Sequence, residues 1–387
     1  MAWTFTRLGC LSFGGPVAHL GYLQRELVER RGWVDHARYA ELVALCQFLP
    51  GPASSQVVFA LGMQRAGLGG ALLASVCFTL PSALAMLGFA AGVARAGDLS
   101  GAGWLRGLKV AAVAVVAQAV WSMARKLCTG VARATICLLA ATALLVGPGA
   151  LAQLSVLALG GLAGVCFLHE AGTSRTPGPQ ATARAHLAAA GALSVFAALL
   201  ALLPVAATVT GSRDVAAFDA FYRAGSLVFG GGHVVLPLLR AELVPRGWLS
   251  DDQFLAGYGA AQALPGPLFA LAAYLGAAMD SGRAGWVSGL GCLVAIFLPA
   301  WLLVGGALPF WQRLRAAPWA GSALAGANAA VVGVLLAALV NPVVAEGIRG
   351  PKDAAAAFVA LVALQRFGAP AWLIVGAMAA AGQWAIG

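Results

Sequence analysis

The sequence predicts an all-α polytopic membrane protein with two homologous repeats, Gly/Pro-broken helices and about 10 to 13 membrane segments. Two observations predict this fold class. The chain is 61% hydrophobic and 10% charged, whereas a soluble domain carries about 25% charge. A set of short motifs also occurs twice along the chain. Because no protein core could absorb so much apolar surface, lipid must be the solvent for much of it.

The repeated signature consists of four motifs in the same order and nearly the same spacing. The first copy has Phe-Gly-Gly-Pro at 13–16, Glu-Leu-Val at 26–28, Arg-Gly-Trp at 31–33 and Gln-Phe-Leu-Pro-Gly-Pro at 47–52. The second has Phe-Gly-Gly-Gly at 229–232, Glu-Leu-Val at 242–244, Arg-Gly-Trp at 246–248 and Gln-Ala-Leu-Pro-Gly-Pro at 262–267. Chance does not produce this agreement. We therefore expect one repeat at 1–168 and another at 213–387.

In the first repeat, Met1–Leu23 is either one kinked span or a pair of half-helices, because Gly14-Gly15-Pro16 interrupts it. A charged loop or amphipathic turn is expected at 24–41. The next apolar segment, Leu42–Met63, is cut by Pro50-Gly51-Pro52. Longer spans are predicted at 68–93, 105–123, 135–146 (extending upstream to 131) and 151–168.

Residues 169–212 should form a polar linker and one span, Leu187–Val209, that has no counterpart in the first repeat. The second repeat starts near Arg213 and follows the same plan. The predicted order is a Gly-broken segment to 239, a charged turn at 240–252, a segment broken at 265–267, long spans at 286–308 and 322–340, a polar turn at 346–353 and two shorter apolar runs.

The relative orientation of the repeats is predicted differently by two arguments. Basic residues follow the first segment in both copies, which favours a parallel arrangement. If the signature regions are re-entrant, however, the first repeat crosses an even number of times. The unmatched span at 187–209 then inverts the second repeat.

The helix breaks indicate a binding site. A break in lipid exposes backbone groups, which are tolerated only when buried in protein or lining a wet cavity. The start of a half-helix offers free N–H groups and partial positive charge, and so favours anions. The alternative is that Gly and Pro only permit kinks and close packing. The expected lining residues are Gly14, Gly15, Pro50, Gly51, Pro52, Gly230, Gly231, Gly232, Pro265, Gly266 and Pro267.

Polar side chains near the breaks extend this candidate site. Gln47 and Gln262 precede the two Pro-Gly-Pro turns, and an uncharged amide can donate to an oxyanion without trapping it. Their alternative role is hydrogen bonding between helices. Ser54, followed by Ser55 and Gln56, adds donors in the first copy only, so the site should be asymmetric. We prefer His233 to His19 as a lining residue.

Two matched charged sets suggest a gate or vestibule that recruits anions, with Glu holding Arg. The alternative is that they anchor the interface and fix topology. The sets are Arg25, Glu26, Arg31 and Trp33, and Arg240, Glu242, Arg246 and Trp248.

Several functional classes are disfavoured. No P-loop, His-Glu-x-x-His or Gly-x-Ser-x-Gly motif occurs, so we expect no enzyme, cofactor or metal. Acidic residues are almost absent from span centres, which argues against a cation carrier. The net charge of +10 fits loops facing anionic lipid better than nucleic-acid binding. The seven cysteines are scattered, and we expect packed small side chains. No cleavable signal peptide is expected. A homodimer is left open.

With these motifs the chain resembles the chromate ion transporter family in its long, two-domain form. The resemblance rests on Phe13–Pro16, Phe229–His233, Leu49–Pro52 and Leu264–Pro267. It implies gradient-driven efflux of chromate across the bacterial inner membrane, chromate resistance, and two halves of opposite orientation. We therefore adopt the inverted arrangement. Sulfate or a related oxyanion is the alternative cargo. A membrane-embedded enzyme or a non-transporting sensor or scaffold is the alternative class.

Overall fold

The computed structural model describes residues 1–13, 15–96, 103–147, 149–168, 183–228, 234–279, 285–311 and 317–386. Within these ranges every regular element is helical and no strand occurs, which confirms the all-helical prediction. The helices are α1 Ala2–Leu11, α2 Gly15–Leu23, α3 His36–Phe48, α4 Ala53–Ala96, α5 Gly103–Leu127, α6 Val131–Val146, α7 Ala150–Phe167, α8 Ala183–Thr210, α9 Arg213–Leu227, α10 Val235–Leu243, α11 Asp251–Ala263, α12 Leu271–Met279, α13 Gly285–Ala307, α14 Pro318–Ala338, α15 Pro351–Arg366 and α16 Ala371–Ala381.

Short turns of other helix types extend these elements. Turns of π-helix follow α2 (Gln24–Arg30), α14 (Leu339–Val344, then one α-turn at Ala345–Gly347) and α16 (Gly382–Ile386). Turns of 3₁₀-helix precede α12 (Leu268–Ala270) and follow α13 (Leu308–Phe310).

Within the described residues, five helices are long and apolar enough to cross a bilayer: Ala53–Arg95, Gly103–Leu127, Ala183–Thr210, Gly285–Phe310 and Trp319–Gly347. The chain is therefore a polytopic membrane protein. The unmatched span predicted at 187–209 is α8. None of the most apolar 18-residue window of α8 is buried inside the protein, so this helix offers most of its surface to lipid.

Two helical hairpins open the first repeat. Phe5 of α1 packs on Trp33, with ring centroids 6.2 Å apart, so α2 returns to the face where α1 begins. The Tyr39 hydroxyl of α3 donates to the Leu20 carbonyl at 2.7 Å, which sets the start of α3 on that face too. The region 1–23 is thus a pair of antiparallel half-helices, the second of the two forms expected.

The first part of α4 completes the second hairpin. It ends at a kink with non-helical dihedrals at Ala66 and Gly67. Gly62 and Gly70, on the two sides of the kink, approach so closely that a Cβ added to Gly62 would lie 2.5 Å from the Gly70 carbonyl oxygen. The chain therefore doubles back on itself. Beyond the kink α4 runs parallel to α1, because Met1 meets Gly70 and Gly9 meets Phe78.

The second repeat has the same arrangement. Gly225 of α9 packs against Ile296 of α13 as Gly9 packs against Phe78. The Tyr274 hydroxyl of α12 donates to the Gln253 carbonyl of α11 at 2.9 Å, which makes α11 and α12 an antiparallel hairpin. Helices α3 and α11 contain 13 residues each.

The later helices interlock the two halves. α5 packs on α15 and α16, while α14 packs on α6 and α7. Small residues allow the close approach: a Cβ on Gly103 would lie 2.6 Å from the Gly382 carbonyl, and Gly164 packs against Gly326. This use of small residues is typical of helix contacts in membranes.

The charged segment at 24–41, predicted as a loop or an amphipathic turn, is mostly helical, which corrects the first of these alternatives. A π-turn continues α2 through Arg30, and α3 begins at His36. The reason is a helix cap: the Asp35 carboxylate accepts from the Arg38 backbone N–H at 2.7 Å. A single acceptor in the right place stabilises a helix start within a charged stretch.

Candidate functional site

The two Pro-Gly-Pro turns each bond to the opposite repeat. Gly51 donates its N–H to the Val228 carbonyl at 2.6 Å, and Gly266 donates to the Ser12 carbonyl at 2.8 Å. Ser12 and Val228 occupy the same position in the two copies, immediately before the Gly-rich break. The contacts are therefore reciprocal, as expected for elements related by a two-fold axis. They bring both turns to the ends of α1 and α9.

Both central glycines are required by the backbone. Their φ angles are +124° at Gly51 and +100° at Gly266, a region that side chains disfavour. A Cβ on Gly51 would lie 3.3 Å from Ala300 Cβ, and one on Gly266 would lie 2.8 Å from Ser82 Oγ. Ser82 and Ala300 follow the matched prolines of α4 and α13. Thus even the packing of the turns is shared by the two copies.

A histidine links the breaks on the first-repeat side. His19 is buried; its Nε2 lies 3.0 Å from the Ser12 carbonyl and its Nδ1 lies 3.3 Å from Ser54 Oγ. Because a carbonyl can only accept, Nε2 carries a hydrogen, and in the neutral ring Nδ1 accepts from Ser54. Ser12 O thus receives hydrogen bonds from both His19 and Gly266.

Buried polar atoms without partners cluster around the same turns. Among the described residues these include Ser12 Oγ, Ser55 Oγ, Gln56 Oε1 and Trp301 Nε1. Buried polar groups are normally hydrogen-bonded, so these atoms are available to bond a polar ligand or water. We call Ser12, His19, Ser54, Ser55, Gln56 and Trp301 the central polar cluster.

Trp301 is held rigidly in this cluster by two aromatic rings. Phe59 of α4 stacks on it at 6.3 Å and 13°, and Phe297 at 6.2 Å and 14°. Phe59 lies one helical turn after Ser55, so Trp301 of the second repeat sits beside the polar start of α4. That start has no acidic residue in its first turn. Its free N–H groups therefore favour an anion.

The second repeat lacks this polar chemistry. Val228, Val235, Phe269, Ala270 and Leu271 stand at the positions of Ser12, His19, Ser54, Ser55 and Gln56. The turns are thus symmetric in backbone and asymmetric in side chains.

The other predicted lining residues have different surroundings. Gly14, Gly230, Gly231, Gly232 and His233 lie outside the described residues. The side chain of Gln47 is exposed, and Gln262 is hydrogen-bonded to Tyr258. Sequence reasoning missed Ser12 and Trp301, and it passed over His19 because no histidine matches it in the second copy.

The first charged set lies where α1 and α3 begin. Glu26 accepts from Arg31 at 2.8 Å and from Arg30 at 3.4 Å, and these bonds hold the pKa of Glu26 below its usual value. Arg31 and Arg65 both lie over the Trp33 ring, at 5.6 and 5.2 Å. Among the described contacts Arg25 has no ion pair.

The second charged set is more strongly paired. Glu242 accepts from Arg223 at 2.9 Å and from Arg246 at 2.8 Å, while Arg246 and Arg213 lie over Trp248 at 5.0 and 5.8 Å. Arg223 also binds Asp219 at 2.7 Å.

Two features of this set were not anticipated from the sequence. Asp219 and Arg223 were missed, because their partner Glu242 lies on another helix. Arg240 pairs with Asp251 at 2.7 Å, whereas the first copy has Gln24 at the position of Arg240 and His36 at the position of Asp251.

Lipid-facing helices, interlocked repeats and a buried polar cluster at converging helix breaks define a broken-helix membrane transporter. The chain belongs to the chromate transporter family, whose sequence profile, "Chromate transporter", matches residues 1–165 and 215–383. This confirms the resemblance found in the motifs.

Three relatives support the assignment. The chain is 32% identical over 321 residues to the chromate transport protein of Pseudomonas aeruginosa, covering 81% of this chain and 72% of the relative. It is 30% identical over 345 residues to the chromate transport protein of Cupriavidus metallidurans, covering 87% and 80%. It is 29% identical over 347 residues to a probable chromate transport protein of Synechococcus elongatus, covering 87% and 82%. No solved structure matches the chain.

Proposed function

We propose that the protein is a secondary active transporter that exports chromate across the bacterial inner membrane, with the central polar cluster as its substrate site. The observation that carries the proposal is the set of buried, unpaired polar atoms beside the two reciprocally bonded Pro-Gly-Pro turns. Family membership and the names of the relatives supply the cargo. We expect no enzymatic activity.

The cluster suits the chemistry of this cargo. Chromate is a tetrahedral dianion and needs several converging donors. Ser12 and Ser55 hydroxyls, the Trp301 N–H and the free N–H groups at the start of α4 can supply them. Gln56 Oε1 adds an acceptor for a water molecule or for the hydroxyl of a singly protonated oxyanion. Because all these groups are uncharged, they can hold the anion and still release it.

We propose that the two repeats, 1–168 and 213–387, are inverted and separated by 169–212, which contains α8. The helix path supports this. Both hairpins of the first repeat open on one face, and five helical segments then follow before α9: the second part of α4, α5, α6, α7 and α8. An odd number of crossings would start the second repeat on the opposite face. The packing of α5 on α15 and α16, and of α14 on α6 and α7, is consistent with that path.

The charges of the two faces support an orientation. On this helix path the face where α1 begins is rich in basic residues: Arg7, Arg25, Arg30, Arg31, Arg38, Arg65, Arg125, Lys126, Arg133, Arg184 and Arg366 against Glu26, Glu29, Asp35 and Glu41. On the opposite face basic and acidic residues are nearly balanced: Arg95, Arg106, Lys109, Arg213, Arg223, Arg240, Arg246, Arg349 and Lys352 against Asp214, Asp219, Glu242, Asp251, Asp252, Glu346 and Asp353. We therefore assign the first face to the cytoplasm.

In this orientation the first charged set faces the cytoplasm. Arg25, without a carboxylate partner, and Arg31 and Arg65 around Trp33 would attract the dianion toward the breaks. The second charged set would then line the exit, where Glu242 and Asp219 neutralise Arg223. A gate built this way favours capture on the cytoplasmic side and release on the other.

Radiolabelled chromate flux into inverted membrane vesicles tests the proposal, with sulfate as competitor and with an uncoupler. We expect flux that falls with sulfate, because both anions are tetrahedral, and that collapses with the uncoupler. No flux above that of empty vesicles, from protein shown to be folded, would remove chromate from the proposal. Flux unaffected by the uncoupler would contradict gradient coupling.

A further inference from the structure

A cavity of about 350 Å³ lies between the start of α7, the end of α10 and the end of α14. Its volume is roughly ten times that of one water molecule in the liquid, so a tetrahedral oxyanion fits with part of its hydration shell. On the helix path above, the cavity lies on the face opposite to the start of α1. Of the predicted lining residues of the helix breaks, none that the structure describes contributes to it.

The lining of this cavity is positive. Arg240 is one of its lining residues; Asp251 binds Arg240 Nε at 2.7 Å, and among the described residues no bond from the two Nη groups occurs. No acidic residue of the described part of the chain lines the cavity. A larger cavity of about 440 Å³ between α9, α12 and α13 differs here, because Arg213 and Asp214 both line it.

The start of α7 adds backbone donors. Gly149 lines the cavity, and the first intrahelical bond of α7 is from Gln153 N–H to Gly149 O at 3.0 Å. The preceding N–H groups of α7 therefore lack intrahelical partners. The first turn of this 18-residue helix contains no acidic residue, so its partial positive charge is not compensated.

A buried amide provides the independent sign of a ligand. Gln153 is 8% exposed and lines the cavity. Its Nε2 donates to the Pro237 carbonyl at 3.4 Å, while its Oε1 has no partner. An unpaired buried acceptor is costly. Gln153 also borders a smaller cavity beside Arg223 and Glu242, and its Oε1 is almost inaccessible. The Gln153 amide would therefore have to turn toward the larger cavity to accept a hydrogen from a hydrated or singly protonated oxyanion, which would accept from Arg240 and α7.

The corresponding place in the other half lacks these groups. Aligning the starts of α7 and α16 puts Ile374 at the position of Gln153, and the repeat alignment puts Gln24 at the position of Arg240. Ile374 is buried and cannot bond an oxyanion. The chemistry is thus confined to the face that we assign to the exit.

We propose that this cavity is a second oxyanion site, at which the exported anion is held after leaving the central polar cluster. The inference rests on the proposed function for the identity of the cargo and for the direction of transport. Arg240, the start of α7 and Gln153 are its binding groups. A two-site path lets the departing ion be displaced by the next one, which keeps release fast although the central cluster is buried.

Equilibrium binding of radiolabelled chromate to the full chain, purified in detergent and stripped of phospholipid, tests the proposal. We expect two chromate ions per chain in the wild type. Arg240→Gln and Gln153→Leu should each weaken one of them at least tenfold, and Gln153→Glu should abolish it by repulsion. The matched control is Arg349→Gln, an exposed arginine on the same face that lies outside the cavity, which should keep both sites.

The other outcomes are distinguishable. One bound chromate that Ser55→Ala weakens and Arg240→Gln does not would overturn the second site and leave the proposed function standing. Retained phospholipid that Arg240→Gln releases, with one chromate in both proteins, would assign the cavity to a lipid phosphate and likewise overturn it. No bound chromate together with no flux would remove the proposed function itself. Size-exclusion profiles and helix content establish that each variant is folded.

Discussion

Adding one methyl group to either Pro-Gly-Pro turn should stop transport. Gly51→Ala forces an L side chain into φ +124°, and its Cβ would lie 2.7 Å from Gln56 Nε2 and 3.3 Å from Ala300 Cβ. In Gly266→Ala the added Cβ would lie 2.8 Å from Ser82 Oγ and 3.1 Å from Ser82 Cβ. Ser82 is the shorter and less mobile neighbour, so Gly266→Ala should cost at least as much.

The magnitude follows from two terms. A non-Gly residue in a disfavoured backbone region costs about 1–3 kcal/mol, and forcing a methyl group into packed surroundings costs about 1–3 kcal/mol. Gln56 can swing away from Gly51, which removes part of the second term. About 2–4 kcal/mol against the intact turn remains. Since about 1.4 kcal/mol is a factor of ten, we expect each variant to lose at least tenfold in chromate flux.

The assay is initial flux into inverted vesicles, normalised to the amount of protein in the membrane. Gly88→Ala and Gly92→Ala are the matched controls, because a Cβ at either position of α4 meets nothing within 4 Å. Both should transport as the wild type does. Normal flux from Gly51→Ala and Gly266→Ala alike would refute the reasoning that the turns form the substrate site.

Three further predictions concern other parts of the site. Ser55→Ala should raise the KM for chromate about tenfold without lowering the thermal unfolding midpoint, because the hydroxyl has no protein partner to lose; an unchanged KM would argue against its role. Arg223→Ala should destabilise the protein by about 3–5 kcal/mol, because it leaves the buried Asp219 carboxylate unpaired and Glu242 paired with Arg246 alone, whereas its exposed counterpart Arg7→Ala should stay within about 0.5 kcal/mol in the same unfolding experiment. Arg31→Cys and Arg246→Cys, each in a cysteine-free background, should react with an impermeant maleimide from opposite sides of the membrane. Labelling of both variants from the same side would contradict the inverted arrangement.

The positions of the helix breaks could be predicted because Gly and Pro mark backbone conformations directly. At Gly51 and Gly266 the positive φ excludes most other residues, so the requirement is visible in the sequence of both copies. Apolar runs of membrane length made α5, α8, α13 and α14 equally visible. Gly and Pro are thus sufficient to predict the helix breaks, and a continuous apolar run is sufficient to predict a membrane-spanning helix.

The partners of the breaks could not be predicted in the same way. The Ser12 and Val228 carbonyls accept bonds from the turns, and a backbone acceptor depends little on side-chain identity. Trp301 contributes through its neighbours Phe59 and Phe297, of which Phe59 lies on another helix far away in the chain. His19 has no match in the second copy, so a search for repeated residues discards it. Repetition identifies what the fold requires twice, and a ligand site needs some groups only once.

The combination of symmetric backbone and asymmetric side chains limits how the protein can move. If access alternates by exchange of conformation between the repeats, the turn bonds Gly51–Val228 and Gly266–Ser12 can exchange roles at little cost, because they are equivalent. The central polar cluster cannot exchange roles in this way, because its donors lie at the end of α1, on α2 and on α4 of one repeat and on α13 of the other. The anion keeps its full set of donors only while α4 and α13, which pack together, move as one body. The moving boundary must therefore lie outside this pair, against the frame formed by α5–α7 and α14–α16.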